Sequence, residues 1–179
     1  SVSSMLGQTL NPDDLTRTPG GSSGGTGAGL AANYGILGIG TDTVNSIRSP
    51  ASACSIVGIR PTVGLVSRGG IIPYSFTQDA AGPMARTVTD ATKMLNVLTG
   101  FDPGDQATAW SLGHIEKDYA EHLKKDGLRG KRIGVLRSFF GTQSIHEEVN
   151  AVTNRAIADC KKMGATLVEL NTPDIDSGK

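Results

Sequence analysis

The run Lys131–Leu170, KRIGVLRSFFGTQSIHEEVNAVTNRAIADCKKMGATLVEL, decides the fold. Its first seven residues, KRIGVLR, have an unbroken apolar centre and read as a strand. Ile145, Val149, Val152, Ala156, Cys160 and Met163 then share one helical face. Ser144 and Glu147 have the spacing of a capping box at the start of that helix, and Gly164 supplies its stop. ATLVEL, residues 165–170, is a second strand. Strand, helix, strand is a βαβ unit, which implies parallel pairing and a right-handed crossover. The expected fold is therefore α/β, a mixed and largely parallel sheet with helices on both faces.

Upstream the character changes. Residues 1–100 hold six Lys and Arg, five Asp and Glu, and 16 of the 24 glycines, whereas residues 101–179 hold eleven basic and twelve acidic residues. Apolar residues such as Leu30, Ile36, Leu37 and Ile39 are interleaved with the glycines, so this half is not a flexible linker. It reads instead as tight backbone packing around a buried site. TGAGLAANYG (26–35) reads as a small-residue helix ending at Gly35, and ILGIG (36–40) as a short buried strand. SPASACSIVG (49–58) reads as a helix with Ser49 as N-cap, Pro50 at the first helical position and Gly58 after its end. TVTDATKMLNVLTG (87–100) reads as a helix capped by Thr87 and Asp90, with Val88, Ala91, Leu95 and Leu98 on one face. Arg60–Arg86 is irregular and needs other elements to cover it.

A length of 179 residues suits one domain, and a net charge of zero gives no reason to expect nucleic acid or an anionic membrane as partner. No apolar run approaches the roughly 18 residues of a membrane-spanning helix, and no signal peptide is read. Cys54 and Cys160 lack any ligand or redox spacing, so both read as buried small hydrophobes in a reducing, cytoplasmic setting.

The glycine loop Thr18–Leu30, TPGGSSGGTGAGL, offers three kinds of chemistry. A phosphate cradle is disfavoured because no Lys-Ser/Thr follows the glycines and no dinucleotide context surrounds them. A Ser-His-Asp hydrolase is disfavoured because His114, His122 and His146 all lie in the charged half and no GxSxG elbow exists. No metal-ligand spacing is present. A cluster of hydroxyls remains: Ser22, Ser23 and Thr26 on the loop, and Thr41, Thr43, Ser46 and Ser49 on GTDTVNSIRS. One reading makes them caps and turn residues. The other makes one serine a nucleophile, relayed through a second serine to a desolvated neutral lysine.

PGGSSGGTGAGLAA, then GTDTVNSIRSPASACSIVGIRPTVGLVSRGG, then TQDAAGPMARTVTDA, together resemble the amidase signature family across most of residues 7–100. GKRIGVL and the helix after it resemble that family's next segment more loosely. The resemblance implies hydrolysis of carboxamide C–N bonds by a Ser–cis-Ser–Lys triad, acting on a small-molecule amide without a cofactor. It makes Ser46 the nucleophile and Ser22 the bridging serine, held by a cis peptide bond. It makes the backbone N–H groups of Thr43, Val44, Asn45 and Ser46 the oxyanion hole. Ser23 then supports the loop by hydrogen bonding, and Asp42 and Arg48 form a buried supporting pair. Val44 and Asn45 stand where the family usually carries glycine. The family's lysine lies well upstream of the glycine loop; no lysine precedes Ser22, and Lys93 reads as a solvated helix residue. The expectation is therefore the central part, residues 1–179, of a single longer amidase domain. Residues 1–100 would form its glycine-rich catalytic segment and 101–179 its βαβ segment, with the rest of the parent chain as partner and no activity in this piece alone. Alternatives are an amidotransferase subunit that releases ammonia from glutamine, and a non-catalytic homologue.

Overall fold

The computed structural model describes residues 1–170. Residues 171–179, the end of the expected βαβ segment, lie outside them. The chain divides into two compact units, Ser1–Glu121 and the residues from His122 onward. The structural division therefore falls some twenty residues beyond the change in charge density. Residues 101–121 join the first unit because Asp105 pairs with Arg68 and the Thr108 side chain is fully buried.

The first unit opens with a two-residue hairpin, β1 (Val2–Ser3) with β2 (Gly7–Gln8). Then follow α1 (Gly24–Ala31), β3 (Leu37–Asp42), α2 (Arg48–Ala53), β4 (Val57–Gly58), β5 (Ala80–Ala85) and α3 (Val88–Leu98). β5 is the central strand and pairs antiparallel with β3 and β4, with Gly40 opposite Gly82. Alternate residues of β5 face opposite ways. Met84 packs with Leu30 of α1, with Ile47 just before α2 and with Ala51 of α2. Ala81 packs with Val66 and with Leu95 of α3. Helices thus cover both faces, as expected.

Gly38 and Gly40 lie on the face of β3 toward α1, where a Cβ would sit 2.6 Å from Thr26 and 2.7 Å from the Met84 sulfur respectively. Close helix–strand approach is what these glycines supply. Leu37 and Ile39 point the other way at the sheet edge and are half-exposed, so ILGIG is not the buried strand its composition suggests. α1 begins at Gly24 and ends before Asn33, which takes a left-handed conformation, short of the expected end at Gly35. α2 begins at Arg48, so Pro50 is its third residue and Ser49 is not its cap. Val57–Gly58, read as helix and stop, is a strand instead, reached through a left-handed Ser55. α3 forms as expected, with the Thr87 hydroxyl accepting from the Asp90 N–H at 3.0 Å.

In the second unit, β6 (Arg132–Leu136) and β7 (Thr166–Leu170) pair in parallel around α4 (Glu147–Lys162), the anticipated βαβ unit. Among the described residues, parallel pairing between strands is confined to this unit. The capping box does not form: Ser144–His146 is a separate 3-10 turn, and His146 caps without a side-chain bond. The half-buried stripe of α4 is Asn150, Thr153, Ile157 and Cys160, while Ile145 is 78% and Val149 65% exposed. Cys54 is buried and Cys160 only half-buried. No helix among the described residues is long and apolar enough to cross a membrane.

Candidate active site

Two loops converge on one cavity because glycine and a buried carboxylate let them. Gly20 has φ +72°, and a Cβ there would sit 2.8 Å from the Pro50 backbone, so only glycine lets the loop lie against α2. The Gly21–Ser22 peptide bond is cis. Ser23 then clips the loop in place. Its hydroxyl donates to the Thr41 carbonyl at 3.2 Å and accepts from the Thr41 N–H at 3.1 Å. Its own N–H donates to the Ser46 carbonyl at 3.2 Å.

The second loop, residues 43–46, connects the end of β3 to α2. Asp42 is completely buried, and its carboxylate accepts the N–H of Ile47 at 3.0 Å and of Arg48 at 3.4 Å. The strand end thus caps the helix that follows, the role the sequence reading gave to Ser49. The carboxylate also pairs with Arg48 Nε at 3.2 Å and Arg60 Nε at 3.3 Å. Arg48 is about half exposed and reaches back to the Val44 carbonyl, so the expected buried pair is a buried acid shared by two arginines. Burial pushes the Asp42 carboxyl up, but the bonds from Arg48 and from the Ile47 and Arg48 amides outweigh it and hold the group below its ordinary range.

Ser22, Thr43, Val44 and Ser46 line one cavity of about 290 Å³. Asn45 and Ser23 do not line it, nor do Asp42 and Arg48. Among the described residues, no hydrogen bond joins the Ser22 and Ser46 hydroxyls, and the backbone N–H groups of residues 43–46 donate to no protein acceptor. Among the described residues neither lysine nor histidine lines the cavity, and Lys93 is exposed on α3. The opposite wall is Ile71, Ile72 and Tyr74, with Arg68, Asp79 and Ala80.

Arg68, Asp79 and Arg60 were missed by sequence reading. The Arg68 guanidinium grips Asp105 through Nε at 2.9 Å and Nη2 at 2.8 Å, and bonds the Phe76 carbonyl at 2.7 Å. Asp79 accepts the Thr43 hydroxyl at 2.5 Å and the N–H groups of Tyr74 and Ser75 at 2.8 and 2.9 Å. The Thr43 bond, foremost, holds its carboxyl below the ordinary range. Asp79 is the one acid between Arg60 and Arg86, and an isolated acid in a charge-poor stretch was the available signal.

The Arg68–Asp105 pair sets an acid limit on this wall. Bonds from Arg68 hold the Asp105 carboxyl well below the ordinary range, against the opposing effect of burial. A folded-state pKa below the unfolded one means stability that is present above about pH 4 and is lost as pH falls through the folded value. Thermal unfolding followed from pH 6 to pH 2 should therefore show a shallower decline in Tm for Asp105→Asn than for the wild type. Parallel curves would show that the pair contributes nothing.

A family model described as Amidase matches residues 1–179. The chain is 44% identical over 165 residues to a glutamyl-tRNA(Gln) amidotransferase subunit of Microcystis aeruginosa, covering 92% of this chain and 33% of that protein. It superposes on native peptide amidase from Stenotrophomonas maltophilia with a TM-score of 0.86 at 42% identity, covering 95% of this chain and 34% of that one. Its likeness to the corresponding glutamyl-tRNA(Gln) amidotransferase subunit from Thermotoga maritima has a TM-score of 0.85 at 33% identity, covering 95% and 36%. The chain thus spans about a third of the length of these relatives.

Proposed function

The chain belongs to the amidase family, and on that premise we propose that it supplies the nucleophile side of a site that hydrolyses carboxamide C–N bonds in a longer parent protein. Residues 1–179 form the central part of that protein's amidase domain. The observation that supports this best is the meeting of Ser22 and Ser46 on one cavity, beside a loop whose N–H groups donate to no acceptor among the described residues.

The Ser46 Oγ attacks the amide carbonyl carbon, and its proton passes through the Ser22 hydroxyl to a base. That base is a lysine contributed by the remainder of the parent. The carbonyl oxygen becomes an anion held by the N–H groups of residues 43–46, where one aimed donor is worth about 3–4 kcal/mol. The C–N bond then breaks, the departing nitrogen takes the proton, and water releases the acyl group from Ser46 as a carboxylate.

The resemblance at 44% identity to an amidotransferase subunit supports a second reading, in which the ammonia released from glutamine is passed to a partner. Ammonia release by the parent from simple carboxamides and from glutamine separates the two. The first reading expects turnover of simple amides by the parent alone, and none by the 179-residue chain. Turnover confined to glutamine and raised by a partner subunit favours the second. Robust turnover by the 179-residue chain, lost in Ser46→Ala, would overturn the need for an outside base.

A further inference from the structure

We propose that Asp79 is a positioning residue for this reaction, fixing the oxyanion loop through the Thr43 hydroxyl. The proposal rests on the reading of Ser46 as nucleophile. Asp79 lies immediately before β5, and its neighbour Ala80 pairs with Asp42 at the end of β3. One carboxylate oxygen accepts from Thr43, the first residue of the loop that leads to Ser46. The other accepts from the amides of Tyr74 and Ser75 in the facing wall, and the Asp79 N–H donates to the Ser75 carbonyl at 2.9 Å. The side chain is buried, and both oxygens are occupied by these three donors. A carboxylate so engaged is poorly placed to take the nucleophile's proton. Its chemistry here is that of an anchor.

What it anchors is the one loop whose position decides oxyanion stabilisation. Residues 43–46 bridge two fixed points, the carboxylate-bound end of β3 and the fully buried Ile47. The carbonyls of Val44, Asn45 and Ser46 accept from Arg48, Ser49 and Ser23, whereas among the described residues the Thr43 backbone makes no hydrogen bond. The hydroxyl–carboxylate bond sets the Thr43 side-chain torsion and thereby holds the backbone beneath it. A misplacement of about 1 Å at such a site can cost on the order of 100-fold in rate. Because Asp79 grips the Tyr74–Ser75 wall with its second oxygen, the same group keeps the two walls of the cavity in register.

The test is a double-mutant cycle in the full-length parent, read as kcat and KM separately on one carboxamide. Asp79→Ala and Thr43→Val should each lower kcat at least 10-fold while KM stays within about threefold. The double variant should be no worse than the poorer single one, because both cut the same tether. Thr43→Ser should restore most of what Thr43→Val loses. Multiplicative losses in the double variant, or a rise in KM with kcat unchanged, would overturn the proposal. If Asp79→Ala does not fold, Asp79→Asn takes its place in the cycle with the same criteria. A Ser46→Ala control keeps the two readings apart. Activity retained there removes the nucleophile assignment, and this proposal with it; activity lost there, with multiplicative losses in the cycle, removes the Asp79 assignment alone.

Discussion

Replacing Ser46 by alanine in the parent protein is expected to lower kcat for amide hydrolysis by about 10⁴ to 10⁶, the range seen when an activated serine nucleophile is removed. The structure keeps that loss separable from unfolding. The contact that clips the glycine loop to Ser46 runs from the Ser23 N–H to the Ser46 carbonyl, a backbone bond that alanine preserves. The Ser46 hydroxyl makes no hydrogen bond to another protein group among the described residues. The variant should therefore melt within a degree or two of the wild type while losing both turnover and labelling by a covalent serine probe. Ser22→Ala should fold equally well and lose less, about 10² to 10⁴, the usual worth of a positioned proton-transfer group. Retention of more than a few per cent of wild-type turnover in Ser46→Ala would sink the assignment, since water cannot replace a nucleophile to that degree.

These expectations draw on residues that were legible in the sequence for different reasons. The βαβ unit and α3 follow from local pattern, and the Thr87 cap forms between residues three apart. The hydroxyl loops stood out because little else in a charge-poor half could carry chemistry. What the sequence did not disclose depends on partners far along the chain. The bonds from Thr43 to Asp79 and from Arg68 to Asp105 close across 36 and 37 residues, and no local spacing marks them. The start of α2 was misread because its amides are satisfied by Asp42, six residues before Arg48, and not by the serine beside it. α4 shows a further limit. The stripe expected to be buried, from Ile145 through Met163, is exposed apart from Cys160, and the half-buried face is the neighbouring one, carrying Asn150, Thr153 and Ile157. Periodicity reports that a face is apolar; it does not report which element lies against it.

Asp42→Ala is expected to be the most damaging single change to the described fold, at about 3 kcal/mol, within the range for breaking a buried ion pair by removing one partner. The cost is uneven among the groups left behind. Arg48 is 54% exposed on its side chain and can turn into water, so its share is small. Arg60 is only 26% exposed, and the Ile47 N–H has no water beside it because that residue is fully buried. An unsatisfied buried amide alone costs about 1–3 kcal/mol. Ile47 also stands in the cluster with Leu30, Ala51 and Met84, so loosening the first turn of α2 disturbs the core directly behind the site. For a chain of this size, about 3 kcal/mol corresponds to a fall in Tm of roughly 10 °C. Asp42→Asn separates the two contributions. An amide oxygen can still accept the Ile47 N–H but brings no charge to the arginines, so a loss near half that of alanine is expected. In the parent protein both variants should also lower kcat, since residues 43–46 are strung between Asp42 and the helix it caps. Thermal unfolding of both variants beside the wild type decides the matter. A loss under about 1 kcal/mol for Asp42→Ala would mean that the capping bonds are replaceable, and the Ser46 loop would then owe its shape to its other contacts, those of Ser23 and Asp79 foremost.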